Sequence, residues 1–267
     1  MKRLALIGCM CLLVSPSLYG QEQPRQMIAL TNGMWFNGQE FVPKTMYSVD
    51  GYFTTQKPST IDTTIDLTGK YVIPPFGEAH NHNLNGGNEA NRGNIKRYLR
   101  DGVFYVKLQS NFPITDEEKK ELRLNTPLRL AVSRGIVVVT TCKVVSMARA
   151  ELLPDEQKKI ALEVQRINLQ QAREHGVTLA IGSDLVNDSS VEEVEYLRSL
   201  NIFSNLELLK MWTEVTAKAI FPDRKIGILD EGYEASFVAL EGNPLEDFGN
   251  TRKIAIRFKQ GRVLEGY

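Results

Sequence analysis

Two histidines with one residue between them, His80 and His82, close the stretch Tyr71-Val-Ile-Pro-Pro-Phe-Gly-Glu-Ala-His-Asn-His-Asn83. Side chains at i and i+2 of an extended segment share a face. Both imidazoles can therefore bind one metal ion, where an apolar strand gives way to a loop. The plain alternative is two surface histidines in a turn, but the chain has only three histidines in 267 residues. Chance pairing is thus uncommon, and metal chemistry is the first expectation. Asn81, Asn83 and Asn85 surround the pair and are expected to make Asx-turns, and Gly86-Gly87 suggests a flexible loop.

The elements that must hold this pair fall into three stretches. From Met27 to Lys70, short strand-like runs are separated by Asn-Gly, Asn-Gly-Gln and Asp-Gly, which supply the positive φ of hairpin turns. Ala235–Leu240, Lys253–Phe258 and Arg262–Leu264 are again strand-like. Neither end has enough strands for a core of its own. Between them strand and helix alternate: strands at Tyr71–Phe76, Phe104–Leu108, Ile136–Thr141 and Thr178–Ile181, with a helix around Asn94–Arg100 and another from Pro154 to Glu174 that ends at His175-Gly176. Capping-box spacing at Thr115–Glu118, Ser190–Glu193 and Ser204–Glu207 opens three more helices. Trp212, Met211 and Leu208 read as core. Alternating βα units imply a parallel sheet with covering helices.

The order Pro-Pro-Phe-Gly-Glu, Ala-His-Asn-His, then Leu-Ala-Ile-Gly-Ser-Asp184, then Gly227-Ile-Leu-Asp-Glu-Gly-Tyr-Glu-Ala-Ser-Phe-Val-Ala-Leu and a closing Gly261-Arg-Val resembles the metal-dependent amidohydrolase superfamily, in its imidazolonepropionase-like and prolidase-like branch. The resemblance implies an α/β fold: an incomplete (β/α) TIM-type barrel plus a small β-sandwich built from both chain ends. The expected organisation is a signal peptide over 1–20, a composite sandwich from 21–70 and 226–267, and a truncated barrel over 71–225. A closed eight-stranded barrel takes roughly 200–250 residues, more than 71–225 provides. Its four strands match the family's first, second, seventh and eighth, with strands three to six missing between Phe112 and Leu128.

The resemblance also implies His80, His82 and Asp184 as metal ligands, with Asp184 as the catalytic acid/base and Zn²⁺ or another divalent metal as cofactor. Asp184 stands at the C-terminal end of its strand, where a βα architecture places catalytic groups; the bland reading is an Asp capping the next helix. Two imidazoles and a carboxylate leave a fourth position open, as catalytic zinc sites do. The family's middle ligands have no counterpart. Lys107 falls on the wrong strand for the bridging lysine, and His175 is expected to cap a helix C-terminus. The implied activity is metal-dependent hydrolysis of carbon–nitrogen bonds in small amides or dipeptide-like substrates.

Lys+Arg and Asp+Glu balance at 32 each, so no basic stripe argues for a nucleic-acid partner. Met1-Lys-Arg, the apolar run Leu4–Val14 and a small residue at Gly20 read as a secretory signal peptide, hence a periplasmic or extracellular protein. That run is too short to span a bilayer, and no transmembrane segment is expected in the mature chain. Cys9 gives a weaker lipoprotein reading. After cleavage Cys142 stands alone, so no internal disulfide forms; it is expected to be a buried small hydrophobe. Unpaired strand edges suggest a homo-oligomer that covers them. Two rival functions stay open: a catalytically inactive remnant acting as a binding or structural exported domain, and a non-haem Fe(II) facial triad.

Overall fold

The computed structural model describes residues 26–83, 88–108, 135–144, 146, 154–185 and 188–267. The signal segment, the Thr115 capping box, Asn85 and Gly86-Gly87 lie outside them. Both chain ends enter one eight-stranded sheet. Its first half is β1 (Met27–Phe36), β2 (Phe41–Val49), β3 (Tyr52–Thr54), β4 (Thr63–Asp66) and β5 (Tyr71–Ile73). Its second half is β10 (Phe237–Leu240), β11 (Ile254–Lys259) and β12 (Arg262–Val263). The order is β12-β11-β10-β5-β1-β2-β3, with β4 also pairing β1. The join between the two chain ends is β10 on β5, antiparallel, with Val238 opposite Ile73 and Leu240 opposite Tyr71.

This sheet curls. Phe53 on β3 and Phe237 on β10 are far apart in strand order, yet their rings stack at 6.4 Å, and Trp35 meets Phe53 and Phe237 edge-on at 5.8 and 5.7 Å. Those rings, with Leu30, Met46 and Phe258, form a core with almost no exposure to water.

Tyr71–Phe76, expected as one strand, divides at Pro74-Pro75. Proline has no N–H for a ladder, so β5 ends in the curled sheet and a new strand, β6 (Phe76–Asn81), begins in another layer. It pairs in parallel with β7 (Val103–Leu108), after α1 (Asn88–Arg100). A second parallel pair joins β8 (Val137–Thr140) to β9 (Thr178–Ile181), linked through α2 (Asp155–Glu174). The helices α3 (Ser190–Ser199) and α4 (Asn205–Lys210) follow, and α4 continues through a π turn at Met211–Val215 into α5 (Thr216–Ile220). The Ser204–Glu207 capping box forms as expected.

The wide π turn positions two side chains against the strands. Trp212 is fully buried, stacks on Phe76 and donates its indole N–H to Ser190 Oγ at 2.9 Å. Thr216 Oγ1 donates to Met211 O and accepts from Ile181 N–H at 2.8 Å. A Cβ on Gly77 would come within 2.4 Å of Thr216 Cγ2, so only glycine lets β6 lie this close to α5. At the other end of the strands, Tyr105 on β7 donates to Glu234, which also pairs with Arg224 at 2.5 Å. The strand layer is thereby tied to the curled sheet.

Candidate metal centre

His80 is the penultimate residue of β6, and His82 lies one residue beyond the strand. Asp184 follows β9 by three residues. The two strand ends are brought together by the Gly182-Ser183-Asp184 turn. A Cβ on Gly182 would sit 2.7 Å from His80 Cβ and 2.8 Å from its backbone nitrogen, closer than real Cβ atoms approach. Asp184 adopts φ +54°, a left-handed conformation that aspartate tolerates better than most residues. Its N–H donates to His80 O at 2.9 Å.

Nε2 of His80 and of His82 lie 3.6 and 3.4 Å from Asp184 Oδ1. One donor atom from each of the three residues falls within 4.8 Å of the others. Zinc bonds of about 2.0–2.1 Å at tetrahedral angles set ligand atoms roughly 3.3–3.4 Å apart, so this spacing fits a shared cation. Burial, with the charges of His82 and Lys107, holds the His80 pKa below its ordinary value, against the pull of Asp184. That shift favours the neutral imidazole, the form whose lone pair a metal takes. The side chains are 31%, 35% and 34% exposed, open enough for a small molecule to reach them.

Beneath the three converging side chains lies a carboxylate that sequence reasoning missed. Glu78 is fully buried. Its Oε1 accepts from His80 N–H at 3.1 Å and Ser183 N–H at 2.8 Å, and its Oε2 accepts from Ser183 Oγ at 2.7 Å. One side chain thus ties the backbone at His80 to that at Ser183, next to Asp184. Burial pushes its pKa up to about 7, although all three donors favour the charged form. The only sequence signal was an acidic residue two positions before His80, on the same strand face.

Asn83 N–H donates to Asn81 Oδ1 at 3.1 Å, the expected Asx-turn. The Asn83 amide group reaches Leu185 O at 2.8 Å, and Asn94 holds Asn83 O at 2.7 Å. The loops after β6 and β9 are thereby stitched to α1. His175 caps α2 through its backbone N–H, 2.9 Å from Gln171 O, and does not join the cluster. Lys107, on β7, is exposed, and its charge acts on His80.

Glu193 corrects one expectation. The N-cap of α3 is Ser189, without a side-chain cap bond, so the Ser190–Glu193 capping box does not form. Glu193 instead is buried and accepts from the N–H groups of Cys142 and Lys143 at 2.8 and 2.7 Å. It anchors the end of β8. Cys142 is half-buried, and burial pushes its thiol pKa up to about 12. Thiolate is the reactive form, so Ellman's reagent at pH 8 is expected to label the folded chain at least about 100-fold more slowly than the urea-unfolded chain. Equal labelling rates would show Cys142 to be accessible and unperturbed.

Residues 66–264 match the amidohydrolase family. The chain belongs to that family. An ochratoxinase of Aspergillus niger is 30% identical over 148 residues, a match covering 51% of this chain and 31% of that protein. The chain therefore spans about a third of that relative. Among solved structures, A. niger ochratoxinase superposes with a TM-score of 0.68 at 15% identity, covering 91% of this chain and 96% of that one. A Xaa-Pro dipeptidase with bound methionine in its active site gives 0.67 at 14% identity, covering 90% and 100%. The fold is that of amidohydrolases. Among the described residues no helix is long and apolar enough to cross a membrane.

Proposed function

We propose that this chain is an exported, metal-dependent amidohydrolase that cleaves carbon–nitrogen bonds in small amides, N-acyl amino acids or dipeptide-like molecules. The observation that carries the reading is the convergence of His80, His82 and Asp184 within 4.8 Å. These three side chains would hold one divalent cation, zinc by donor type. When bound, the cation supplies Lewis acidity that polarises an amide carbonyl and acidifies water at the site.

The chain's own residues do the remaining work. Asp184 Oδ1 faces the two imidazoles, leaving Oδ2 to take a proton from the attacking water and return it to the departing nitrogen. Glu78 holds both ligand strands in register, and the Asn83–Asn94 bonds fix the loop after His82. The dipeptide-like substrate class is supported by the similarity to a Xaa-Pro dipeptidase, alongside an ochratoxinase. The export reading rests on residues 1–20 alone.

A second reading keeps the metal without the turnover. The converging set among the described residues has three donors, and the barrel text is short, which favours a binding domain descended from an enzyme. Metal analysis of the purified chain, then assays of N-acyl amino acids and dipeptides with added Zn²⁺, separates the two. Roughly one zinc per chain with turnover lost on chelation is expected. Bound zinc with no hydrolysis of any amide would establish the binding reading, and a chain that takes up no metal would end both.

A further inference from the structure

Strand β8 has a single hydrogen-bonded neighbour, β9, among the described residues. Parallel strands are normally covered on both faces, yet Ile136, Val137 and Val138 are 39%, 37% and 40% exposed. Hollows flank the strand. One of about 450 Å³ separates it from α2 and is lined by Val138, Val164, Leu169 and Leu179. Another of about 620 Å³ is lined by Val137, Ile226, Ile228 and Tyr233. On α2, Ile160, Val164 and Ile167 follow helical spacing and are 58%, 50% and 41% exposed. The opposite edge, β7, likewise bonds only β6 among the described residues.

Among the described residues, these four strands lie in the row β8-β9-β6-β7. β9 pairs β8, the turn after β9 abuts His80 on β6, and β6 pairs β7. The two pairs are each parallel, and the ends of β6 and β9 meet at the metal centre, so all four strands point the same way. A closed βα barrel needs eight parallel strands. We propose that a second copy of this chain closes the barrel. A two-fold rotation about the barrel axis sets the partner's β7 against β8, and β7 against the partner's β8, both in parallel. A foreign partner would need its own four-stranded parallel arc with matching edges; a second copy has one by construction. The exposed valines then fill the shared interior and helix layer, and both ligand sets face one mouth.

This inference does not depend on metal or catalysis, and its test is separate from theirs. In sedimentation equilibrium, the full chain is expected at twice the mass of one chain, with or without chelator. Val138→Lys places a charge on the edge and is expected to weaken the dimer at least about 100-fold. Hydrogen exchange on the wild type needs no variant to fold: those amides of 137–140 that point away from β9 are expected to be protected in the dimer and to exchange quickly on dilution. A single-chain mass from about 1 to about 100 µM would overturn the proposal. So would open-ended assemblies, or exchange at the outward-pointing β8 amides that ignores concentration.

Discussion

Asp184→Asn is expected to fold as the wild type does yet lose at least about 100-fold in zinc affinity and about 10³-fold in amide hydrolysis. Asparagine tolerates the left-handed backbone that Asp184 occupies at φ +54°, and its size is the same. What goes is the anionic oxygen 3.4–3.6 Å from the two imidazoles, with its capacity to take a proton. Asp184→Ala adds a backbone cost of roughly 1–2 kcal/mol at the same φ. Comparing the two separates the ligand from the turn. Calorimetric zinc titration and thermal unfolding measure the two effects. An Asn variant that binds zinc as tightly as the wild type would remove Asp184 from the ligand set.

The second large effect is expected at Glu78. Glu78→Ala strips the acceptor from His80 N–H, Ser183 N–H and Ser183 O–H, all of them close to the ligands and shielded from water. Leaving a buried donor without an acceptor costs about 1–3 kcal/mol, so a loss of roughly 3–5 kcal/mol in unfolding free energy is expected. Groups that orient metal ligands typically contribute 10–100-fold to affinity, and zinc binding should fall by about that factor. Glu78→Gln keeps the oxygen that accepts from both N–H groups, and its amide can donate to the Ser183 hydroxyl, which accepts as well as donates, so it is expected to restore most of the stability. Urea unfolding and zinc titration decide the matter. An Ala variant with an unchanged urea midpoint would show that water or a shifted loop satisfies those donors.

The three converging side chains were legible as candidates because metal chemistry restricts residue type: two imidazoles at strand spacing and an aspartate after Gly-Ser stand out in a sequence. Helix α2 and strand β9 were legible through Pro154, Gly176 and a clean apolar run. What stayed hidden depended on distant partners. Glu193 has capping spacing from Ser190, but its buried carboxylate answers to Cys142 and Lys143, some fifty positions earlier. Glu78 looked like one more charge near a turn, because nothing local announces that Ser183 will fold onto it. The division between β5 and β6 was masked by apolar residues on both sides of Pro74-Pro75; hydrophobicity marks burial and is silent on which sheet does the burying.

That proline pair has a mechanical corollary. The curled sheet gathers the last strands of the chain onto β5, and β5 hands over to the histidine-bearing strand through two residues whose φ is locked by their rings. A torque on the tail is therefore passed along a stiff coupling to the imidazoles instead of being absorbed by a slack hinge. Trimming the chain after Gly249 would withdraw β11 and β12, and its signature should be read at the far end of that coupling, as a weaker affinity for added zinc.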